Sequence, residues 1–419
     1  MQNKEHASRS FRIVVNQPQQ TSLVEELLAS EGFRFEDEPF SPLCRKLLAE
    51  PFPLGSSLAA FFGYIYIQDR SSMLPPLALA PAPGSAILDM AASPGSKSGF
   101  LGQLCGSSGF VLANEPNRSR LQTLVANLGS ANLLQCATCS YPGEKLPLLA
   151  NSWPYILLDP PCSGWGTANP KALRLWQGAR IDALTSLQRK MLRRACALLA
   201  PGGLLLYSTC TTNPAENEAQ TTFAVNELGL IQLPIAPFPG FVYAGTLPGC
   251  LLVDGGRSDA QGFYLSLLKK PASNLQPEQN ITPGVFATIP RQSLASAVCA
   301  PQSLPQGETA LFGDKVHFLA DYASKNLPRE FKWRGYLLGK MGSNGFTPVP
   351  RLRSLLPNQE DYPDAPRLIL DDLAQIRNLL AGQSLRTDFR ASSIGLWWRC
   401  LPLGICQLRN GRVVARFTR

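Results

Sequence analysis

The stretch YILLDPPCSG, residues 155–164, decides the fold of this chain. Its first four residues form a short, wholly apolar run, which is typical of a strand buried on both faces. A second stretch of the same design, LLLYSTCT, occupies residues 204–211. In a parallel sheet, the loops that follow such strands open at the carboxyl edge, where open α/β sheets bind ligands. We therefore expect Cys162 and Cys210 to lie in loops at that edge.

Two thiols in such loops, one of them close to Asp159, suggest covalent chemistry. A single cysteine is more often a small buried hydrophobe, and a thiol reacts readily only where its surroundings lower its pKa. The position of both cysteines directly after predicted strands favours the reactive interpretation over simple packing.

Working outward, the region from about residue 64 to 268 alternates predicted strands and helices. The strands are predicted at 86–89 and 109–113 beside the two already named, and the helices at 98–105, 116–128 and 181–199. The last helix stops at Pro201-Gly202-Gly203, which is a strong breaker. This alternation indicates βαβ units and a mostly parallel sheet. We predict a doubly wound, Rossmann-like α/β core.

The first strand of this core runs into the loop AASPGSK, residues 91–97. Small residues and glycine at this position let the backbone approach a ligand closely. The next strand ends near Glu115, and a carboxylate about 20 residues past the loop is placed to accept hydrogen bonds from ribose hydroxyls. The loop is neither Gly-x-Gly-x-x-Gly nor a Walker loop, so a nucleoside cofactor is predicted without a dinucleotide or triphosphate. The alternative is a tight strand-to-helix turn with a helix N-cap.

The composition describes a globular chain of 419 residues, long enough for two or three domains, with 45% hydrophobic and 16% charged residues. The N-terminus lacks the apolar core of a signal peptide, and no apolar run of about 18 residues would span a membrane. The eleven cysteines are irregularly spaced, which argues against a disulfide framework. We expect a reduced, cytoplasmic protein, and we assume a monomer.

The chain divides into four predicted parts. Residues 1–63 form an N-terminal segment with one helix at 22–31, and 64–270 form the α/β domain. Residues 271–308 are rich in Pro, Gln, Ser and Ala and indicate a linker or an irregular lead-in. Residues 309–419 form an α+β region with a helix at 371–380 and a small β module at the end. Its strands are predicted at 394–399, 403–407 and 411–417.

Positive charge is concentrated in the last third of the chain. The net charge is +9, and residues 281–419 hold 18 lysines and arginines against 10 acidic residues. Near the end, Arg399, Arg409, Arg412, Arg416 and Arg419 are interleaved with Trp397, Trp398 and Phe417. Basic residues among aromatics suit a phosphate-bearing, base-stacking partner. The alternative is the solvated surface of an ordinary basic protein.

Three loops resemble motifs of the S-adenosylmethionine-dependent RNA cytosine 5-methyltransferases. These stretches are DMAASPGSK at 89–97, DPPCSG at 159–164 and YSTCT at 207–211, and YIQDRSSMLP at 66–75 and ENE at 216–218 also fit. The resemblance is dense over about residues 64–268, and the pairing of Asp-Pro-Pro-Cys with Ser-Thr-Cys is highly specific. The resemblance is to the bacterial RsmF type, which methylates cytosine in small-subunit ribosomal RNA. LPLG at 401–404 and NG at 410–411 resemble a PUA-like terminal module.

The resemblance implies S-adenosylmethionine as the cofactor and RNA, ribosomal RNA first, as the partner. It implies that Cys210 adds to carbon 6 of cytosine so that carbon 5 can take the methyl group. Cys162 would serve product release, Asp159 would contact the cytosine edge near nitrogen 3, and Lys97 would lie between the cofactor loop and the base. The target base would have to leave its stack. The implied cofactor-binding residues are Ala91, Ala92, Ser93, Pro94, Gly95, Ser96, Lys97, Glu115 and Asp159.

The chain departs from the family pattern after its third predicted strand. The family usually has an aspartate there, near the adenine, whereas residues 136–140 read CATCS. Ser140 or Glu144 would have to substitute for it. The Cys-x-x-Cys in this stretch has no second pair, so we expect no zinc and no other metal. Gln261-Gly262 stands where relatives tend to have Asp-Gly.

Four other classes of protein compete with this interpretation. A DNA cytosine 5-methyltransferase generally attacks from one Pro-Cys loop, which would make Cys162 the nucleophile. An amino-group methyltransferase would carry an aromatic residue after Pro-Pro, and a thiol oxidoreductase would need Cys-x-x-Cys spacing at its reactive pair. A non-catalytic RNA-binding or ribosome-assembly protein on the same fold stays open because the third-strand acid is missing. That protein would bind no cofactor.

Overall fold

A computed structural model describes residues 9–15, 17, 19–166, 179–272 and 286–417. Within these ranges the chain forms four β-sheets: an N-terminal sheet of four strands, a central sheet of ten, and two C-terminal sheets of five strands each. None of the helices in this described part is long and apolar enough to cross a membrane.

The N-terminal sheet is antiparallel, with the strand order β2-β3-β1-β4. Its elements are β1 (Ser10–Ile13), α1 (Gln20–Ser30), β2 (Arg34–Asp37), β3 (Cys44–Ala49), α2 (Leu58–Phe61) and β4 (Ile65–Ile67). Helix α1 confirms the helix predicted at 22–31. The four strands were not predicted from the sequence. Exposed β2 illustrates the reason, since it reads Arg-Phe-Glu-Asp and shows no apolar run or clean alternation.

The central sheet carries the motifs found in the sequence. Its strands up to residue 269 are β5 (Ala86–Asp89), β6 (Phe110–Asn114), β7 (Cys136–Cys139), β8 (Trp153–Leu158), β9 (Leu199–Thr209), β10 (Ile231–Leu233), β11 (Tyr243–Ala244), β12 (Leu251–Val253) and β13 (Phe263–Lys269). The helices of this region are α3 (Leu74–Leu79), α4 (Ser96–Cys105), α5 (Arg118–Ala131), α6 (Ala179–Leu198), α7 (Glu218–Asn226) and α8 (Gly255–Ser258).

The strand order in the central sheet is β11-β12-β13-β9-β8-β5-β6-β7, and β10 pairs with β13. Strands β5 to β9 are mutually parallel, whereas β13 runs antiparallel beside β9. Every residue of β5 and β6 is buried, as a strand covered on both faces requires. The predicted α/β core is confirmed as a mixed sheet with helices between its parallel strands, and β5 and α6 lie within two residues of their predicted bounds.

The first C-terminal sheet follows the order β14-β15-β16-β18-β19. Its region contains β14 (Ala287–Thr288), β15 (Gly307–Phe312), β16 (Lys315–Ala320), α9 (Asp321–Asn326), β17 (Trp333–Arg334), β18 (Tyr336–Gly342) and β19 (Gly345–Pro348). Strand β17 leaves this sheet and pairs antiparallel with β7, with Trp333 opposite Cys139. The central sheet is therefore completed by a strand from the C-terminal region.

The last sheet follows the order β20-β22-β23-β24-β21. Its region contains β20 (Arg367–Ile369), α10 (Leu373–Leu380), β21 (Leu385–Arg386), β22 (Ser393–Trp398), β23 (Leu401–Arg409) and β24 (Arg412–Val414). The predicted helix and all three predicted strands are present, although β24 ends before the predicted limit. Trp398 is buried, and Phe417 packs against Phe61 and Phe62. Buried Trp398 cannot stack on a base, whereas Phe417 is half-buried, and the base-stacking role of the remaining pattern stays a prediction.

The predicted linker over 271–308 is in part a packed segment. Residues 273–285 lie outside the described residues. Beyond them, Leu294, Cys299 and Leu304 are buried in the same apolar cluster as the strands of the central sheet. The described half is therefore an irregular lead-in and not a free linker, because burial of these side chains holds it against the α/β core.

Arg353 holds three parts of the molecule together. Its guanidinium donates to the carbonyls of Phe62 and Gly63 after α2, at 2.6 and 3.0 Å, and to those of Ser130 and Ala131 at the end of α5, at 2.7 and 3.3 Å. These carbonyls have no partner within their own helices, so the C-terminal arginine satisfies them. The N-terminal sheet, the central sheet and the C-terminal region meet at this side chain.

Candidate active site

Three strands of the central sheet end side by side. Asp89 ends β5, Asp159 follows β8 and Cys210 follows β9, and β8 pairs in parallel with both of its neighbours. The Sγ atoms of Cys162 and Cys210 lie 3.2 Å apart. The structure therefore brings the two predicted thiols into direct contact at the predicted edge.

The contact between the two thiols shifts their pKa values in opposite directions. The hydrogen bond with Cys210, together with burial, raises the pKa of Cys162. The same hydrogen bond, with the help of the Lys97 ammonium, lowers the pKa of Cys210 in spite of its burial. Cys210 is thus the sulfur that more readily becomes a thiolate, which is the nucleophilic form.

Lys97 and Asp159 form an ion pair beside the thiols. Lys97 Nζ donates to Asp159 Oδ2 at 2.7 Å, and Ser208 Oγ donates to Asp159 Oδ1 at 2.8 Å. Burial lowers the pKa of Lys97, but the attraction of Asp159 outweighs it and the net shift is upward. The ammonium also lies 5.2 Å from the centroid of the Phe263 ring. Lys97 is therefore a fixed positive charge at the thiols.

Asp89 anchors the loop that follows β5, a role that the sequence reasoning did not assign. Its carboxylate accepts a hydrogen bond from Ser98 Oγ at 2.6 Å and one from the amide of Ala91 at 3.3 Å. Burial raises its pKa to about 6. The sequence signal that could have indicated this role is the position of Asp89 at the start of the motif at 89–97.

The loop Ala91–Lys97 is held from behind by α5. Asn127 Nδ2 donates to the carbonyl of Pro94 at 2.8 Å, and Arg120 Nη2 donates to that of Ser93 at 3.0 Å. Gly95 adopts φ +104° and precedes α4, whose N-terminus has no side-chain cap. The amides of Ser96 and Lys97 are therefore open to an external acceptor such as a carboxylate.

Glu115 is placed as predicted, at the end of β6, but it has two protein partners. It is buried, and its carboxylate accepts from the amide of Asn117 at 2.9 Å and pairs with Arg120 at 3.5 Å. This contact orients the start of α5. The carboxylate is at the correct strand end for a ribose contact, and that role stays a prediction.

The end of β7 carries no acid. Ser140 is exposed and donates to the carbonyl of Pro116 at 3.4 Å, and Glu144 lies in a short 3-10 turn. Asn114 connects the strand ends instead: it accepts from the amide of Tyr141 at 3.0 Å and donates to the carbonyl of Met90 at 3.1 Å.

A buried carboxylate joins the two cysteine loops. Glu216, fully buried, accepts from both the amide and the hydroxyl of Ser163, at 2.9 and 2.5 Å. It also accepts from Gln188 Nε2 of α6 at 3.0 Å and from Asn213 Nδ2 at 3.3 Å. Ser163 Oγ contacts Thr211 Oγ1 at 2.8 Å. Glu216 thus connects the residue after Cys162 with the residue after Cys210.

Two glycines let a third loop close over the site. The Gly166 amide donates to the carbonyl of Cys210 at 3.0 Å, and the Gly262 amide donates to the carbonyl of Gly166 at 2.9 Å. A Cβ on Gly166 would lie 2.2 Å from the Gly262 carbonyl oxygen, so a side chain cannot fit there. A Cβ on Gly262 would lie 3.1 Å from Thr212 Cγ2 and 3.2 Å from Gly166 Cα, a tight fit, so the strict requirement for glycine falls on Gly166.

The sheet order, with parallel strands β5 to β9 and antiparallel β13, and the small-residue loop after β5 define the class of S-adenosylmethionine-dependent methyltransferases. Two thiols on neighbouring strand ends are also present, and thiols are a residue type that covalent catalysis uses.

Comparison with known proteins specifies the group. Residues 76–269 match the family model described as 16S rRNA methyltransferase RsmB/F. The tRNA (cytosine(49)-C(5))-methyltransferase of Pyrococcus abyssi is 33% identical over 229 residues, which cover 52% of this chain and 74% of that protein. The chain therefore belongs to the RsmB/F family of methyltransferases.

Two further relatives define the extent of the likeness. The ribosomal RNA small subunit methyltransferase F of Shewanella loihica is 35% identical over 266 residues, 59% of this chain and 53% of that protein. This chain thus spans about half the length of that relative. The crystal structure of a methyltransferase homolog protein from Pyrococcus horikoshii has a TM-score of 0.55 and 31% identity, and covers 63% of this chain and 86% of its own.

Proposed function

We propose that this protein transfers a methyl group from S-adenosylmethionine to carbon 5 of a cytosine in RNA, with ribosomal RNA as the substrate. The observation that carries the proposal is the contact between the Sγ atoms of Cys162 and Cys210 at 3.2 Å, with the lower pKa on Cys210. The names of the relatives support the substrate class, since one acts on small-subunit ribosomal RNA and another on a tRNA cytosine.

In this proposal Cys210 is the nucleophile. Its thiolate adds to carbon 6 of the cytosine, and the electrons of the carbon 5–carbon 6 double bond make carbon 5 reactive. Asp159, held by Lys97 and Ser208, contacts the base edge near nitrogen 3 and orients it. After methylation, Cys162 as thiolate, or a water molecule, takes the proton from carbon 5, and the C–H electrons re-form the carbon 5–carbon 6 double bond. The bond between sulfur and carbon 6 breaks, and its electrons return to Cys210. Cys162, in contact with that sulfur, serves this release.

The residues of the β5 loop fit the cofactor. The uncapped N-terminus of α4 offers the amides of Ser96 and Lys97 to a carboxylate. Small residues from Ala91 to Gly95 leave room for the rest of the methionine portion, and Glu115 stands at the strand end where ribose hydroxyls are bound in this class. When bound, the cofactor supplies the electrophilic methyl group.

We propose that residues 309–419 form an RNA-binding region with a PUA-like module at its end, after an N-terminal segment over 1–63, the methyltransferase domain over 64–270 and the lead-in to residue 308. In the last sheet, Arg386 lies directly opposite Arg412, and Arg412 lies opposite Arg409. Like charges in facing positions destabilise a sheet. A patch of three exposed arginines therefore suits an anionic partner, and the phosphates of cytoplasmic RNA meet that requirement.

The test is a covalent trap. We expect Cys162→Ala, incubated with total ribosomal RNA and S-adenosylmethionine, to accumulate a protein–RNA adduct on a denaturing gel, because attack survives and release does not. Adding Cys210→Ala should remove the band, and sequencing the trapped RNA locates the cytosine. Cys400→Ala, at an exposed cysteine away from the site, is the matched control and should form no adduct.

The outcomes separate the alternatives. No adduct together with intact cofactor binding and no methyl transfer would contradict the covalent mechanism. An adduct with transfer RNA and none with ribosomal RNA would mean that transfer RNA is the substrate. Failure to bind S-adenosylmethionine would favour a non-catalytic RNA-binding protein on the same fold.

A further inference from the structure

Two arginines on α6 share one aromatic ring beside the active-site loops. The guanidinium carbons of Arg189 and Arg193 lie 5.3 and 4.7 Å from the centroid of the Phe223 ring on α7. Both arginines are exposed, whereas Phe223 is buried. They line a shallow cavity of about 510 Å³ between the two helices.

This arrangement is electrostatically unfavourable in the protein alone. Arg189 and Arg193 are four residues apart on a helix, where like charges repel. Among the residues that the structure describes, no carboxylate lies within 4.0 Å of either guanidinium, although Glu227 lines the far side of the cavity. Both guanidinium groups are within cation–π distance of the Phe223 ring, which keeps them on the same side of the cavity.

The cavity is built on the same elements that position the cysteines. Gln188, directly before Arg189, donates to the carbonyl of Pro161 at 3.0 Å and to Glu216 at 3.0 Å. Helix α7 begins two residues after Glu216. Arg189 therefore directly follows the residue that contacts the loop of Cys162, and Arg193 lies about 6 Å further along the helix axis.

We propose that Arg189 and Arg193 bind a backbone phosphate of the RNA strand that carries the target cytosine. Guanidinium groups match phosphate oxygens with paired N–H donors, and a phosphate close to the flipped nucleotide would fix the strand relative to Cys210. The exposed side chains of Thr222 and Asn226 offer further polar contacts in the same cavity. This inference rests on the proposed function and specifies how its substrate docks.

The experiment uses the full chain and a short single-stranded RNA with one cytosine. Affinity is measured over a range of salt concentrations for the wild type and for Arg189→Gln with Arg193→Gln. We expect the double variant to bind at least about ten-fold more weakly at physiological salt, and the slope of log K against log salt to fall by about 0.7 for one lost phosphate contact. In methylation assays KM should rise while kcat at saturating RNA is kept.

A matched control removes the same charge elsewhere. Lys190 and Lys145 are exposed and lie outside the cavity, on α6 and on the turn that packs against it. Lys145→Gln with Lys190→Gln should change the affinity and the salt slope much less than the arginine pair does. Equal effects from the two pairs would mean that only net charge matters, and this would overturn the inference.

Different results would contradict the phosphate site and the proposed function. If the wild type methylates RNA and the arginine variant keeps the wild-type affinity, salt slope and KM, the phosphate site is wrong and the methyltransferase stands. If the wild type binds neither RNA nor S-adenosylmethionine, both are wrong. Arg189→Lys with Arg193→Lys keeps the charge but loses the paired donors, so intermediate binding supports the paired-donor contact.

Discussion

Asp89 is a buried acid that costs the fold stability at neutral pH. Burial raises its pKa to about 6 from the ordinary value of 3.8, so between these two pH values the native state holds a proton that the unfolded chain has already released. The resulting destabilisation is fully present above about pH 6 and fades as the pH falls towards the unfolded value. This cost is tolerated because the carboxylate orders the start of the cofactor loop through Ala91 and Ser98.

We predict that Asp89→Asn stabilises the cofactor-free protein at about pH 8 by up to roughly 3 kcal/mol, and that this gain vanishes near pH 4. Asparagine keeps an acceptor for the Ala91 amide and can donate to Ser98 Oγ. Urea unfolding of both proteins at the two pH values measures the difference. Asp388→Asn, at an exposed aspartate, is the control and should show no such pH dependence. A gain that is equal at both pH values would contradict the assignment to Asp89 ionisation.

At the scale of elements, Glu216 unites two loops and a helix. All four of its hydrogen-bond partners are donors, from Ser163, Gln188 and Asn213. A carboxylate has about four acceptor sites and no donor, so it alone satisfies this set. An amide in its place would direct N–H groups either at Asn213 Nδ2 or at the Ser163 amide and Gln188 Nε2, all of which are donors, and only the Ser163 hydroxyl could turn to accept. The relative position of Cys162 and Cys210 therefore depends on a residue that touches neither sulfur.

We predict that Glu216→Gln slows adduct formation in the Cys162→Ala background at least about ten-fold and lowers the free energy of unfolding by roughly 1–3 kcal/mol. Stopped time courses on denaturing gels give the rate, and the apparent affinity for RNA should be unchanged. Glu218→Gln is the matched control, because Glu218 accepts from Thr246 Oγ1 with only one of its oxygens. If both substitutions slow the reaction equally, Glu216 has no special positioning role.

Elements differed in how well the sequence predicted them. Strands β5 and β8 were predictable because a strand covered on both faces must be apolar throughout. Strand β1 was not, since its run Ser-Phe-Arg-Ile contains Arg12, a charged residue that is fully buried. The sequence also predicted that the loops of Cys162 and Cys210 lie at the same edge, because the strands before them were predicted to be parallel. The Glu216 cluster could not be predicted, because its donors lie up to 53 positions away and meet only in the folded chain.

At the scale of the molecule, the C-terminal region is part of the structural core. Apolar residues of the N-terminal sheet and of the last sheet form one buried cluster, which includes Phe62, Tyr64 and Trp398. Arg353 fixes this junction through four backbone carbonyls and stacks on the Tyr64 ring at 4.1 Å. Sequence periodicity gave no sign of the junction, because it depends on contacts between residues almost 300 positions apart.

We predict that Arg353→Ala lowers the free energy of unfolding by roughly 3–5 kcal/mol, because the carbonyls of Phe62, Gly63 and Ala131 lose their side-chain donor, whereas that of Ser130 keeps Asn132 Nδ2. Chemical denaturation followed by circular dichroism measures the loss. Arg34→Ala, on the exposed edge strand β2, should change stability by less than about 0.5 kcal/mol. A comparable loss from both substitutions would contradict the role of Arg353 at the junction.

Strand β17 is synthesised long after strand β7, whose edge it covers. The edge of β7 is covered by Trp333 and Arg334, which lie 194 positions after Cys139. At about 5–20 residues per second, translation of that interval takes on the order of 10 to 40 seconds. Throughout it the nascent α/β domain exposes an unpaired strand edge, a template for pairing with other chains. A strand that is synthesised well after the α/β domain thus protects that domain from aggregation.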